Sequence, residues 1–207
     1  FFFKQKTAYE IKECDWSSDV CSSDLGVIMK QLIRLAHGID WINDRFAVFA
    51  KWAVILSCAI SALNAVVRYT FDYSSNAFLE VQWYLFAACV MLGAAQVLRL
   101  NEHVRVDVIY GNLSSKTRVM IDIFGLVFFL LPAMTYFVYL TWPLFMKMYI
   151  SKEMSSNAGG LIRWPVILML PVGFSLVALQ GMSELIKRAA WLTHDYNMDI
   201  HYERPLQ

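Results

Sequence analysis

Few residues in a chain this apolar are able to do chemistry, and their positions limit which chemistry is open. Lys51, Glu80, Asp122 and Glu184 are the ionisable side chains that border or enter long apolar runs. A carrier that couples a solute to a proton or a sodium ion sets such groups near the bilayer midplane, where they are costly and mark function. All four instead lie within a turn or two of the end of a run. The middles hold Ser57, Cys58, Ala87, Cys89, Met134 and Thr135. No coupling site is visible. The histidines His37, His103, His194 and His201 all fall in polar segments, so a haem held between helices by two of them lacks facing ligands. Cys58 and Cys89 sit singly in apolar runs, where cysteine acts as a small hydrophobe. No nucleophile–base pairing and no metal spacing occurs. The expectation is a protein that is not an enzyme and has no cofactor.

Composition agrees. The 207 residues are 58% hydrophobic and 15% aromatic, with a mean hydropathy of +0.46. Soluble domains sit at about 45–50% apolar. A formal net charge of +1 provides no concentrated basic face for nucleic acid.

The apolar residues fall into four runs, each long enough to cross a bilayer core of about 30 Å at 1.5 Å per residue. They cover about 46–67, 78–98, 119–142 and 164–186. Before the first, residues 29–45 read as an amphipathic helix. Leu32, Leu35, Ala36, Ile39, Ile42 and Phe46 recur at spacings of three and four, while Lys30, Arg34, His37, Asp40, Asn43 and Asp44 fall mostly elsewhere. Such a helix is expected to lie along the membrane surface. Pro132 lies in the middle of the third run, Pro143 follows it, and Pro171 with Gly173 marks a second bend in the fourth. Residues 189–207 form a polar tail.

Residues 1–28 do not fit this pattern. They mix charges, serines, Cys14 and Cys21 with no period of 2 or 3.6, and lack the basic start and apolar core of a secretory signal. The string FFFKQKTAYEIKECDWSSDVCSSDL resembles a translated sequencing-adapter read. It is expected to be a non-native extension, with Met29 as the true start.

Orientation follows from the basic residues. One side of the four spans carries Lys30, Arg34, Arg45, Lys51, Arg99, Arg105, Lys116, Arg118, Lys187, Arg188 and Arg204. The other carries Arg68, Lys147, Lys152 and Arg163. The bias of eleven to four places both termini in the cytoplasm, as an even number of spans requires. The fold expected is all-α and integral to the membrane: four transmembrane helices after an interfacial helix.

From about Met29 to Arg188 the chain resembles the small membrane subunit, of DctQ type, of TRAP transporters, the tripartite ATP-independent periplasmic uptake systems of bacteria and archaea. The resemblance rests on Asn157-Ala158-Gly159-Gly160, Trp164-Pro165, Leu170-Pro171-Val172-Gly173-Phe174, Leu179-Gln180-Gly181 and Ser183-Glu184-Leu185-Ile186-Lys187 in the last span. It rests also on Glu80 opening the second span, with Tyr84-Leu85-Phe86 and Leu92-Gly93 after it, and on His103-Val104-Arg105-Val106-Asp107. It implies a multi-pass protein of the cytoplasmic (inner) membrane that buttresses a large permease subunit of about twelve spans. Its further partners would be a periplasmic solute-binding receptor and membrane lipids. The process implied is sodium-driven uptake of an organic acid or similar solute. The alternative is a small stand-alone membrane anchor or assembly protein with another partner.

The candidate structural or interface residues are Glu80, His103, Arg105, Asp107, Asn157, Gly159, Gly160, Trp164 and Pro165. Glu80 reads either as an acid favoured by the helix N-terminus or as a contact to a partner subunit or receptor. His103, Arg105 and Asp107 alternate with valines and so share one face of an extended segment. That segment is either a solvated basic loop or a network fixing the bend between the second and third spans. Asn157–Gly160 is a turn, and the glycines allow close backbone approach by a docking partner. Trp164 and Pro165 supply an interfacial aromatic and a residue suited to a helix's first turn.

Overall fold

In the computed structural model the described residues are 16–73, 75–100 and 113–193, with side chains from residue 28 onward. Helix α1 spans Trp16–Phe71, α2 Asn76–Arg99, α3 Ser115–Gly125, α4 Leu131–Ser151 and α5 Trp164–Leu192. The π-helical segment Leu126–Leu130 joins α3 to α4 without a break. Four helical stretches are long and apolar enough to cross a membrane: Ile28–Phe71, Asn76–Arg99, Ser115–Ser151 and Trp164–Leu192. Helices α1, α2 and α5 pack mutually, and α4 packs on α5. The core is narrow, built from Ala50 of α1, Ala88, Leu92 and Ala95 of α2, and Leu176 of α5.

Small residues set the spacing of these helices. At Gly173 an added Cβ would stand 2.7 Å from Met91 Cβ and 2.9 Å from Met91 O, so α2 and α5 touch backbone to side chain there. Close approach through small residues drives helix association where lipid removes the hydrophobic advantage of burial.

The proline signals differ in outcome. Pro132 has no N–H for the carbonyl of Phe128. Just before it the backbone widens, and the amide of Leu131 donates to Leu126 O, five residues back. Pro143, expected to follow the third span, lies inside α4, which runs on to Ser151. Helix and span need not end together, since interfacial residues extend a helix past the hydrocarbon.

Helix α1 also differs from expectation. It is continuous, and its stretch Ile28–Phe71 (44 residues) is about 66 Å long, twice a single upright crossing. Spacing placed Asp40 and Asn43 off the apolar stripe, and yet both are buried, in line with Ala36, Ala47 and Ala50. Leu35 and Ile42 of the apolar stripe are exposed. The buried face of this segment is therefore small and polar, because it meets a polar face of α5 rather than an apolar core.

Candidate functional site

Charged residues mark two levels along the bundle. On one lie Asp40 and Asp44 of α1, Arg99 of α2, Asp122 of α3, and Glu184, Lys187 and Arg188 of α5. On the other lie Glu80, Glu153 and Arg163. From Glu80 to Arg99 along α2, and from Arg163 to Glu184 along α5, the rise is about 30 Å, one hydrocarbon thickness. Between these levels the described residues hold three Asp, Glu, Lys or Arg side chains, Arg45 and Lys51 of α1 and Lys147 of α4, with Arg45 and Lys147 each near one level.

At the hairpin end, three residues of α2 spaced by four, Asn76, Glu80 and Tyr84, project along one helix face. Each grips the loop between α4 and α5. Asn76 Nδ2 donates to Ala158 O at 3.1 Å, and the Tyr84 hydroxyl to Ile162 O at 3.1 Å. Glu80 accepts from Asn157 Nδ2 at 2.8 Å and from the backbone N–H of Leu161 at 2.6 Å. The loop closes on itself as well. Met154 and Ile162 form an antiparallel bridge. Ser155 N–H donates to Leu161 O at 2.9 Å, and Arg163 N–H to Glu153 O at 3.0 Å.

The two glycines of the loop are demanded by this geometry. Gly159 has φ of +72°, a conformation L side chains resist. A Cβ on Gly160 would fall 2.6 Å from Ser155 Cβ and 2.9 Å from Glu80 Oε1. Trp164 opens α5 and meets Tyr149 of α4 edge to face, with centroids 5.6 Å apart. Pro165 occupies the first turn. The structure thus brings Glu80, Asn157, Gly159 and Gly160 into one clasp with Trp164 and Pro165 at its base. Glu80 is 2% exposed and engaged within its own chain, which leaves no free interfacial carboxylate at that position. His103, Arg105 and Asp107 lie outside the described residues.

At the opposite, ionic end the polar groups meet across four helices. Lys187 Nζ stands 2.6 Å from Asp40 Oδ2 and 3.1 Å from Glu184 Oε1. Arg188 reaches Glu184 at 2.5 Å and Asp122 at 3.2 Å. Arg99 pairs with Asp44 and lies 4.0 Å from Asp40. Neutral groups complete the cluster. Gln180 donates to Asp40 Oδ1 at 2.9 Å and accepts from Asn43 at 2.5 Å, and the Ser183 hydroxyl donates to Asp40 Oδ1 at 2.9 Å. Sequence reasoning missed this cluster. Its signal was present in Gln180, Ser183, Glu184 and Lys187, which follow helical spacing on one face of the last span opposite Asp40 and Asn43.

Among the described residues no group of three or more His, Cys, Asp and Glu could hold a metal ion. Both clusters are fastenings: one holds a loop to α2, the other holds α1, α2 and α3 to α5.

Four apolar helices, charged levels one bilayer apart and polar side chains turned to one another define an all-α multi-pass membrane protein. The family model for the DctQ component of tripartite ATP-independent periplasmic transporters matches residues 57–190, and the chain belongs to that family. No curated protein and no solved structure matches it. The family is one of transporter components, not of enzymes.

Proposed function

We propose that this chain is the small permease subunit that scaffolds a large transport subunit of about twelve spans, in sodium-driven, receptor-dependent uptake of an organic acid or similar solute. The observation that carries this reading is that its buried carboxylates are all engaged within the chain at the two membrane levels, and that no Asp or Glu stands between those levels among the described residues. A bundle of this kind offers a coupled ion no station on its way across. It suits a body that stays still while a partner moves. The ionic end faces the cytoplasm with both termini, in keeping with the basic-residue bias. The start of α1, with exposed Lys30 and Arg34, meets the headgroups of the inner membrane on that side. The clasped loop then faces the periplasm, and its exposed tip, residues 156–159, is a docking point for the receptor or the large subunit.

Co-expression with the neighbouring permease genes, followed by purification in mild detergent, tests this. A stable complex with a chain of about twelve spans is expected, together with solute uptake in vesicles that depends on both chains. Recovery of this chain by itself, or with unrelated proteins, refutes the reading. Gly160→Val is expected to weaken complex formation or uptake; unchanged values for both would remove the loop tip from the docking surface.

A further inference from the structure

A groove of about 470 Å³ opens between α1, α2 and α5, lined by Arg45, Phe46, Phe49, Leu92, Leu168 and Val172. Its walls are apolar except at one end, where Arg45 stands. The Arg45 guanidinium lies over the Trp41 ring, 5.1 Å from the centroid. Stacking of this kind occupies the face of a guanidinium and leaves its in-plane N–H donors free. Arg45 follows Asp44, whose carboxylate is already paired with Arg99, and among the described residues no ion pair joins Arg45 to a carboxylate.

The depth of the groove is informative. Asn43 marks the ionic level by its bond to Gln180. Leu168 lies twelve residues before Gln180 on α5, a rise of about 18 Å, on the order of one leaflet's half of a ~30 Å core. An apolar channel of one leaflet's depth, with a stacked arginine and a tryptophan at headgroup height, has the shape and charge of a phospholipid.

We infer that this groove seats one phospholipid from the leaflet at the ionic end, its phosphate on Arg45 and one acyl chain along Phe46, Phe49, Leu168 and Val172. A planar guanidinium binds a phosphate through two parallel N–H donors, and the chain replaces solvent lipid along a surface already apolar. The seat ties α1 to α5 just inside the ionic cluster.

Native mass spectrometry of the full chain from detergent micelles, titrated with dioleoylphosphatidylglycerol, tests the site. The wild-type chain is expected to retain one lipid. Arg45→Ala should lower that occupancy about tenfold or more, through loss of the charge-assisted bonds. Leu168→Trp, which fills the groove from its far end, should lower it likewise while elution on gel filtration stays unchanged. Arg34→Ala, an exposed cation on the same helix, should leave it alone. Equal retention by wild type and Arg45→Ala overturns the site, as does an equal loss in Arg34→Ala, which would signify general surface charge. A photo-crosslinker at position 168 that captures a polypeptide instead of lipid in native membranes also overturns it.

Discussion

The two ends of this bundle solve one problem in opposite ways. At the hairpin end a single buried carboxylate, Glu80, is met by neutral donors, an amide side chain and a backbone N–H. At the ionic end Asp40 and Glu184 are met by Lys187 and Arg188, all four buried. The difference follows from what each must hold. A loop presents free backbone groups, and one acceptor on α2 satisfies several of them while fixing the loop's path. Helix flanks present few, since their backbone bonds are internal, and at the ionic end Ser183 reaches one, Ala36 O, at 3.2 Å. Helices that must cross at one register are joined through side chains, and paired charges reject the wrong register more strongly than neutral contacts do. The hairpin end thus fixes a shape, and the ionic end fixes an alignment.

That contrast predicts where a single substitution is felt most. Glu184→Ala leaves Lys187 and Arg188 each short of a carboxylate in a buried site. Breaking a buried pair from one side costs about 3–5 kcal/mol, and thermal melting in detergent should record the largest loss of any variant named here. Replacing Asp40 and Lys187 together by Leu and Met should recover much of the loss seen in either single variant, since buried pairs replaced as a unit are often neutral. Failure of that recovery would mean that Gln180 and Ser183, which also bond Asp40, carry the alignment.

Glu80→Gln ranks next. The carboxylate offers one oxygen to Asn157 and the other to Leu161, whereas an amide turns an N–H₂ toward one of those donors. An unsatisfied buried group costs about 1–3 kcal/mol. The melt should shift less than for Glu184→Ala, and proteolysis within residues 153–163 should rise sharply while the helices stay protected. Gly159→Ala should fall just below it, because a left-handed residue with a Cβ costs about 1–2 kcal/mol. Equal proteolysis throughout the chain in either variant would mean that the clasp holds the bundle as well as the loop.

The sequence made the two ends unequally legible. Four spans were readable because an unbroken apolar run of about 20 residues matches the thickness of a bilayer core and exceeds what a soluble core helix needs. Glu80, Asn157 and Gly160 stood out one by one, as an acid opening a span and a turn rich in small residues. Their union needed the long-range fold, since 77 positions separate Glu80 from Asn157. The ionic cluster stayed hidden for a different reason. In residues 30–44 the leucines and isoleucines marked an apolar stripe, which was expected to lie on the membrane surface with Asp40 and Asn43 turned away from it. In a membrane bundle apolar side chains are content to face lipid, and the polar ones turn inward to partners. Asp40 and Asn43 are buried and Leu35 and Ile42 exposed because the surrounding solvent is inverted, and periodicity alone does not say which solvent a helix meets.

The smallest effects belong to the pairs at the margin of each end. Asp44–Arg99 borders the ionic cluster, with side chains 45% and 32% exposed. Glu153–Arg163 borders the clasp at 3.0 Å, with side chains 41% and 46% exposed. Exposed pairs contribute about 0–1 kcal/mol, so Asp44→Asn and Glu153→Gln should each shift the melt slightly, and less still at high salt, where the Debye length falls to about 3 Å at 1 M. Yet the two should not behave alike. Arg99 also faces Asp40 at 4.0 Å, so it keeps a carboxylate when Asp44 is neutralised. The bond from Arg163 to Glu153 is doubled by the Arg163 N–H to Glu153 O, and only the side-chain half is lost in Glu153→Gln. A salt titration separates the two cases. Relative to wild type, the shift for Glu153→Gln should fall away steeply with salt because a whole exposed charge pair is lost and only a neutral bond remains, whereas the shift for Asp44→Asn should be smaller and flatter because Arg99 keeps Asp40. Identical salt slopes would mean that Asp40 does not hold Arg99, and that the ionic cluster ends at Lys187.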